Sequence, residues 1–181
     1  QAVGAQNPVG KVPVLVEDTG FAVWDTLAIA ETLAEQFPEK QLWPTDPRAR
    51  ARARSVCAEM HSGFGALRSA CPMNIEASLP AIGALALRDQ PGVRADLARL
   101  VAMWSELLAQ HGGPMLFGAF TIADAYFAPV VMRIRTYALP VPAPVATYIE
   151  RLCALPGVKA WVDGALAEKD FLDFEEPYRL A

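Results

Sequence analysis

Histidine is nearly missing from this sequence: His61 and His111 are the only two in 181 residues. That scarcity removes most zinc sites and most Ser–His–Asp arrangements from consideration. Cysteine is sparse as well. Cys57, Cys71 and Cys153 lie far apart with no C-x-x-C pair, so metal and redox spacings are both lacking, and reduced thiols in a cytoplasmic protein are the expectation. No apolar run approaches the ~20 residues of a membrane span, and no basic leader with a small-residue cleavage site is visible. Sixteen basic against twenty acidic residues leave a net charge of -4, which argues against a nucleic-acid or anionic-membrane partner. No internal repeat or low-complexity tract stands out.

What the chain does have is apolar content. At 53% hydrophobic and 20% charged residues, it can build a core without disulfide or metal support. Residues 1–10 read as a loop. Val12 to Val16 is a short buried-strand run, Glu17 to Gly20 a polar turn, and Phe21 to Trp24 a second strand, which together predict a β-hairpin. Leu27 to Glu35 has helical spacing, with Asp25 or Thr26 as its N-cap. Three prolines between Pro38 and Pro47 end that helix and mark a linker.

Everything beyond reads as helical. The expected segments are Ala49–Ala70 as one long helix, Ile75–Leu87 interrupted by Pro80, and Val93–His111. Thr121–Tyr137 with a kink at Pro129, Ala143–Leu155 and Val158–Ala167 complete the set. The expected organisation is an α+β hairpin-plus-helix unit over residues 1–38, a linker over 39–47 and an all-helical unit over 48–181. No assignment is made for 171–179.

Four features bear on chemistry. Val12-Pro13 is either a plain strand start or a cis-proline, which would turn the backbone of Val12 toward a peptide-like ligand. Asp25-Thr26 is either a simple cap or a head-group site: helix N–H groups and the Thr26 hydroxyl for a carboxylate, the Asp25 carboxylate for an adjacent ammonium. On the long helix, Cys57, Met60, Phe64, Leu67 and Cys71 form an apolar stripe, while Arg54, His61 and Arg68 share a neighbouring face. His61 is there a polar interface residue or a ligand-facing one. Gly63 and Gly65, each costly inside a helix, predict close approach by a second helix or a ligand. Arg48, Arg50 and Arg52 read as a solvated helix start. Finally, Thr121 and Asp124 form a capping box, with Phe120 in the staple position against a small Ala125.

The string from Asn7 to Leu15, with Asp25-Thr26-Leu27-Ala28-Ile29 some ten residues on, resembles the N-terminal domain of glutathione S-transferases. Glu59-Met60-His61-Ser62-Gly63-Phe64 is similar to a segment of the bacterial beta class, with Ser62 in place of a lysine. Thr121-Ile122-Ala123-Asp124 and Leu155 to Trp161 resemble that family's helical domain. The resemblance implies a two-domain fold in which a partial thioredoxin-like domain precedes a helical bundle. It also implies glutathione as co-substrate and no metal. Val12 and Pro13 would meet its cysteinyl part, Lys11 would lie beside it, and Asp25 and Thr26 would hold its γ-glutamyl end. His61 would face the sulfur and the second-substrate pocket, and Arg54 would reach toward the glutathione of a partner subunit.

The family's catalytic Ser, Cys or Tyr would lie in a β-α-β segment before Val12-Pro13, outside this sequence. Met60, Phe64, Tyr126 and Met132 would wall an open pocket for a small apolar electrophile. The implied function is conjugation of the glutathione thiolate to electrophiles, a detoxification chemistry, by a cytoplasmic homodimer. Glutathione-dependent isomerisation, disulfide reduction, or non-enzymatic binding on the same fold stand as alternatives.

Overall fold

The computed structural model describes residues 7, 9–169 and 176–178; most of the loop read over 1–10 and most of 171–179 lie outside the described residues. Strands β1 (Val14–Val16) and β2 (Ala22–Trp24) form the expected hairpin, antiparallel, with Leu15 opposite Val23. Gly20 closes the turn at φ 84°, a conformation glycine adopts without steric cost, and its N–H reaches the Glu17 carbonyl at 2.8 Å. Helix α1 (Thr26–Gln36) follows directly, and Gln36 bonds back to Glu17 in the hairpin turn at 2.8 Å.

The proline-rich stretch after α1 is not a free tether. A 3₁₀ turn (Pro38–Lys40) leads to Trp43, which is only 6% exposed. The Leu42 carbonyl accepts from the Ile122 N–H at 2.9 Å, tying this stretch to the helical unit. An indole among prolines signals burial that composition alone hides.

The helical unit comprises α2 (Pro47–Ser62), α3 (Gly65–Ala70), α4 (Pro80–Asp89), α5 (Pro91–His111), α6 (Ile122–Thr136), α7 (Ala143–Ala154) and α8 (Pro156–Ala167). Helix α5 runs through its centre. Trp104 is fully buried and meets Phe127 of α6 and Tyr148 of α7 edge-on, with centroids 5.3 and 5.4 Å away. Edge-on aromatic contacts of this kind add about 0.5–1.5 kcal/mol beyond area burial. The Asp124 carboxylate of the capping box is fully buried. It accepts from the Thr121 N–H at 2.8 Å and the Leu116 N–H at 3.1 Å, and so fastens the start of α6 to the preceding loop. Burial raises its pKa above the ordinary carboxylate range, although these bonds oppose the shift.

Several expectations are corrected. The long helix is two: Gly63 leaves the helix in an extended conformation and Phe64 adopts a left-handed one at φ 57°, so the chain bends between α2 and α3. The apolar stripe survives the bend, and Cys57, Met60, Phe64, Leu67 and Cys71 are all buried. The glycines therefore mark the break rather than a second helix or ligand pressing close: a Cβ at Gly65 would touch nothing, and one at Gly63 would meet only the Glu59 carbonyl. Pro80 begins α4 instead of interrupting a longer helix, occupying a first-turn position where its missing N–H costs nothing. Phe120 is 45% exposed and Ala125 is exposed, so no hydrophobic staple forms.

Candidate functional site

The chain enters α1 through a strained residue. Asp25 has φ 73° and ψ 130°, a region where a non-glycine residue costs about 1–3 kcal/mol. Its Oδ1 accepts from the Leu27 N–H at 2.9 Å, and Oδ2 lies 3.1 Å from Nε2 of His61 on α2. A carboxylate has about four acceptor positions, so a further donor can still approach this half-exposed group.

Thr26 completes the pair. Its Oγ1 lies 2.8 Å from the Tyr126 hydroxyl of α6. If it accepts that proton, its own hydrogen is left to point at an incoming carboxylate, beside the N-terminus of α1. Burial pushes the Tyr126 phenol above its ordinary pKa and keeps it the protonated donor. Thr26, Met60, His61, Arg68, Tyr126 and Pro129 then wall a cavity of 360 Å³ between the hairpin unit and the helices. A larger groove of 460 Å³ between α4, α5 and the α6–α7 loop is lined almost wholly by apolar side chains, with Arg94 its single ionisable lining residue. The convergence of polar groups singles out the smaller cavity.

Val12-Pro13 is in the cis form, and Val12, two residues before β1, is 86% exposed. Lys11 is exposed beside it, and its carbonyl accepts from the Asn7 side chain at 2.7 Å.

Residues 51–164 match the model of the glutathione S-transferase C-terminal domain, and residues 1–36 that of the N-terminal domain. The chain belongs to the glutathione S-transferase family. A probable maleylacetoacetate isomerase of Caenorhabditis elegans is 31% identical over 159 residues, 83% of this chain and 69% of that protein. A maleylacetoacetate isomerase of Pseudomonas aeruginosa is 38% identical over 71 residues, 39% of this chain and about a third (34%) of its own length. Among solved structures, a Burkholderia glutathione transferase homolog with bound glutathione superimposes with a TM-score of 0.66 at 27% identity, covering 92% of this chain and 80% of that one.

Within this glutathione transferase fold, the residues expected to bind are not all gathered in one place. Asp25, Thr26 and His61 meet at the cavity mouth. Arg54 is elsewhere: its guanidinium makes a two-pronged pair with Glu31 of α1 at 2.6 and 2.9 Å and lies over the Trp43 ring, 5.7 Å from its centroid. The pair holds the Glu31 carboxyl below its ordinary range. Of the four expected cavity walls, Met60 and Tyr126 line it, whereas Phe64 and Met132 are core residues at 6% and 3% exposure. Their apolar side chains pack into the core instead of facing the cavity.

Tyr126 and Thr26 stand 100 residues apart, so no local pattern announces their hydrogen bond. The one available signal is the position of Tyr126 two residues after the capping-box acid. Cys57 and Cys71 are buried thiols, pushed by desolvation up to about 12 and about 11, which fits structural roles. Among the described residues no group of three or more metal-ligating side chains comes together, and no helix is long and apolar enough to cross a membrane.

Proposed function

We propose that the protein is a glutathione-dependent transferase that joins the glutathione thiolate to small electrophiles bound against Met60, Tyr126 and Pro129. The observation that carries this reading is the strained Asp25 N-cap, poised between the Leu27 N–H and His61, with Thr26 beside it on Tyr126. Backbone strain of this size is concentrated at ligand clamps and active sites.

The parts fit the ligand. Asp25 supplies an anion for the ammonium of a γ-glutamyl group, and Thr26 with the α1 N-terminus supplies donors for its carboxylate. The exposed backbone of Val12 is free to pair with the cysteinyl part, and Lys11 stands beside it. Glutathione supplies the nucleophilic sulfur when bound. The protein's residues orient it: the head group fixed at α1 directs the sulfur toward the cavity, where His61 is the nearest imidazole. Holding two reactants in one cleft in this way is worth several orders of magnitude in rate.

Arg54, held on Glu31 at the outer face of α1 and α2, is proposed to reach a partner subunit. We propose a cytoplasmic homodimer formed through that face and the hairpin edge, with light scattering giving twice the chain mass. The hairpin unit over 1–38, the connecting stretch 39–47 and the helical unit from 48 onward are proposed as its domain divisions.

The names of the worm and Pseudomonas relatives favour a second reading, glutathione-dependent isomerisation in the same cleft. The test is turnover of 1-chloro-2,4-dinitrobenzene with glutathione by the protein and its His61→Ala variant. The transferase reading expects measurable turnover, reduced about tenfold to a hundredfold in the variant with its circular dichroism unchanged. Glutathione binding with no turnover of chloroarenes or unsaturated acids would favour a non-enzymatic binding protein instead.

A further inference from the structure

Helix α6 meets the cavity through Ala125, Tyr126 and Pro129, while Asp124, Phe127 and Val130 beside them are buried. Proline has no backbone N–H. In a helix the carbonyl of each residue points along the axis toward the N–H four residues on, so Pro129 leaves the Ala125 carbonyl without its ladder partner. That carbonyl lies between two residues that both wall the cavity, and therefore on the cavity side of α6. Among the described residues no side chain takes it up. The Tyr126 hydroxyl is bonded to Thr26, and the Arg133 Nη1 donates one turn further on, to the Pro129 carbonyl at 3.3 Å.

Proline is the least favourable residue inside a helix, and local preferences broken in this way concentrate at functional positions. The other polar groups of the wall are engaged or are donors. Thr26 pairs with Tyr126, the His61 Nε2 contacts Asp25, and Arg68, a donor only, gives its Nη1 to the His61 carbonyl. Met60 supplies apolar surface. On the α6 side, then, the cavity offers its occupant an acceptor set in an apolar wall. A group that displaces water from such a carbonyl gains if it brings a donor and loses if it does not. A site of this kind discriminates against an analogue that lacks the N–H or O–H.

We propose that the second substrate of this cleft is an electrophile bearing an N–H or O–H donor, such as an amide, which bonds the Ala125 carbonyl that Pro129 leaves free. The proposal rests on the transferase reading above and adds the hydrogen-bonding class of the substrate. Pro129 sets that class through what its backbone lacks.

A matched pair of aryl chlorides tests it: N-methyl-4-chloro-3-nitrobenzamide and methyl 4-chloro-3-nitrobenzoate, each with glutathione. The two have nearly the same size and differ in an N–H against an oxygen. In both, the thiolate forms a carbon–sulfur bond, the carbon–chlorine bond breaks, and chloride leaves with the bonding electrons. The expected result is an amide-to-ester ratio of kcat/KM at least about fivefold above the ratio of the uncatalysed reactions, the size of one neutral hydrogen bond. Pro129→Val returns an N–H to position 129 at similar bulk and closes the ladder on Ala125. The ratio should then fall to within about twofold of the uncatalysed value. Pro129→Ala should do the same, because the effect belongs to the N–H and not to the ring. Both variants remove a helix breaker, so circular dichroism should show no loss of helix.

A binding readout runs alongside: the amide conjugate of glutathione should bind about fivefold more tightly than the ester conjugate, and Pro129→Val should erase the difference. Equal handling of amide and ester by the wild-type protein overturns the proposal and leaves the transferase reading standing. A preference that survives in both Pro129 variants also overturns it, because another wall group would then be the acceptor. So does a loss of free glutathione affinity of about fivefold in both variants, which would give the carbonyl to the tripeptide. Turnover of neither chloride, with both conjugates bound equally, overturns it and the transferase reading together. A preference between the conjugates without turnover supports the acceptor and removes the transferase reading.

Discussion

On the proposed reading, Asp25 serves stability and ligand recognition in opposite senses. Its side chain caps α1 through the Leu27 N–H, yet its backbone at φ 73° is one that favours glycine. Asp25→Gly removes the cap and the strain together, whereas Asp25→Ala removes the cap and keeps the strain. The glycine variant should therefore be more stable than the alanine variant by about 1 kcal/mol in urea unfolding. Glutathione affinity should fall equally in both, since both lose the carboxylate. If alanine proves the more stable of the two, the backbone is not strained at that position.

The cap at the start of α1, where the head-group site is proposed, was legible because Asp25 and Thr26 are adjacent at a helix start. Arg54 illustrates the opposite case. Its partner Glu31 lies 23 residues away on another helix, a distance at which sequence spacing carries no information.

Among the elements, the hairpin and most helices could be read because their apolar periodicity matches their geometry. The bend between α2 and α3 could not: the buried stripe keeps its three-and-four spacing across residues 63 and 64, so periodicity alone argues for a continuous helix. The signal was the pair of glycines, read for the wrong cause. Gly83 shows the effect those glycines were expected to have. A Cβ on Gly83 of α4 would run into the carbonyl of Tyr137 at the end of α6, so the two helix ends meet on bare backbone. Gly83→Ala should cost about 3 kcal/mol in thermal or urea unfolding, despite the higher helix propensity of alanine. A neutral or stabilising result would show that α4 can slide away from Tyr137 freely.

At the scale of the molecule, the cleft exists because two units meet. The Thr26–Tyr126 hydrogen bond and the Asp25–His61 contact join the start of α1 to α6 and α2, and the Leu42–Ile122 bond fixes the connecting stretch. Family membership was readable from motifs in both units, but the cavity was only partly readable. Its walls come from segments more than 100 residues apart, Thr26 and Pro129 among them, and two expected wall residues proved to be core. Tyr126→Phe removes the hydroxyl and leaves the ring in place. It should lower stability by about 1 kcal/mol and weaken glutathione binding a few-fold, since Thr26 loses the partner that orients its hydroxyl. Unchanged values for both quantities would mean that the two units hold their arrangement without this bond.

The most direct test of the account is a calorimetric titration of the protein and its Asp25→Asn variant with glutathione. Asparagine can still cap α1 through its carbonyl oxygen, so folding should be preserved while the charge facing the ammonium is lost. The account predicts saturable binding to the wild-type protein and an affinity at least about tenfold weaker in the variant, the loss expected for a charge-assisted hydrogen bond of about 1.5–3 kcal/mol. Equal affinity in the two proteins, or no binding to the folded wild-type protein, would contradict the assignment of this cleft to glutathione.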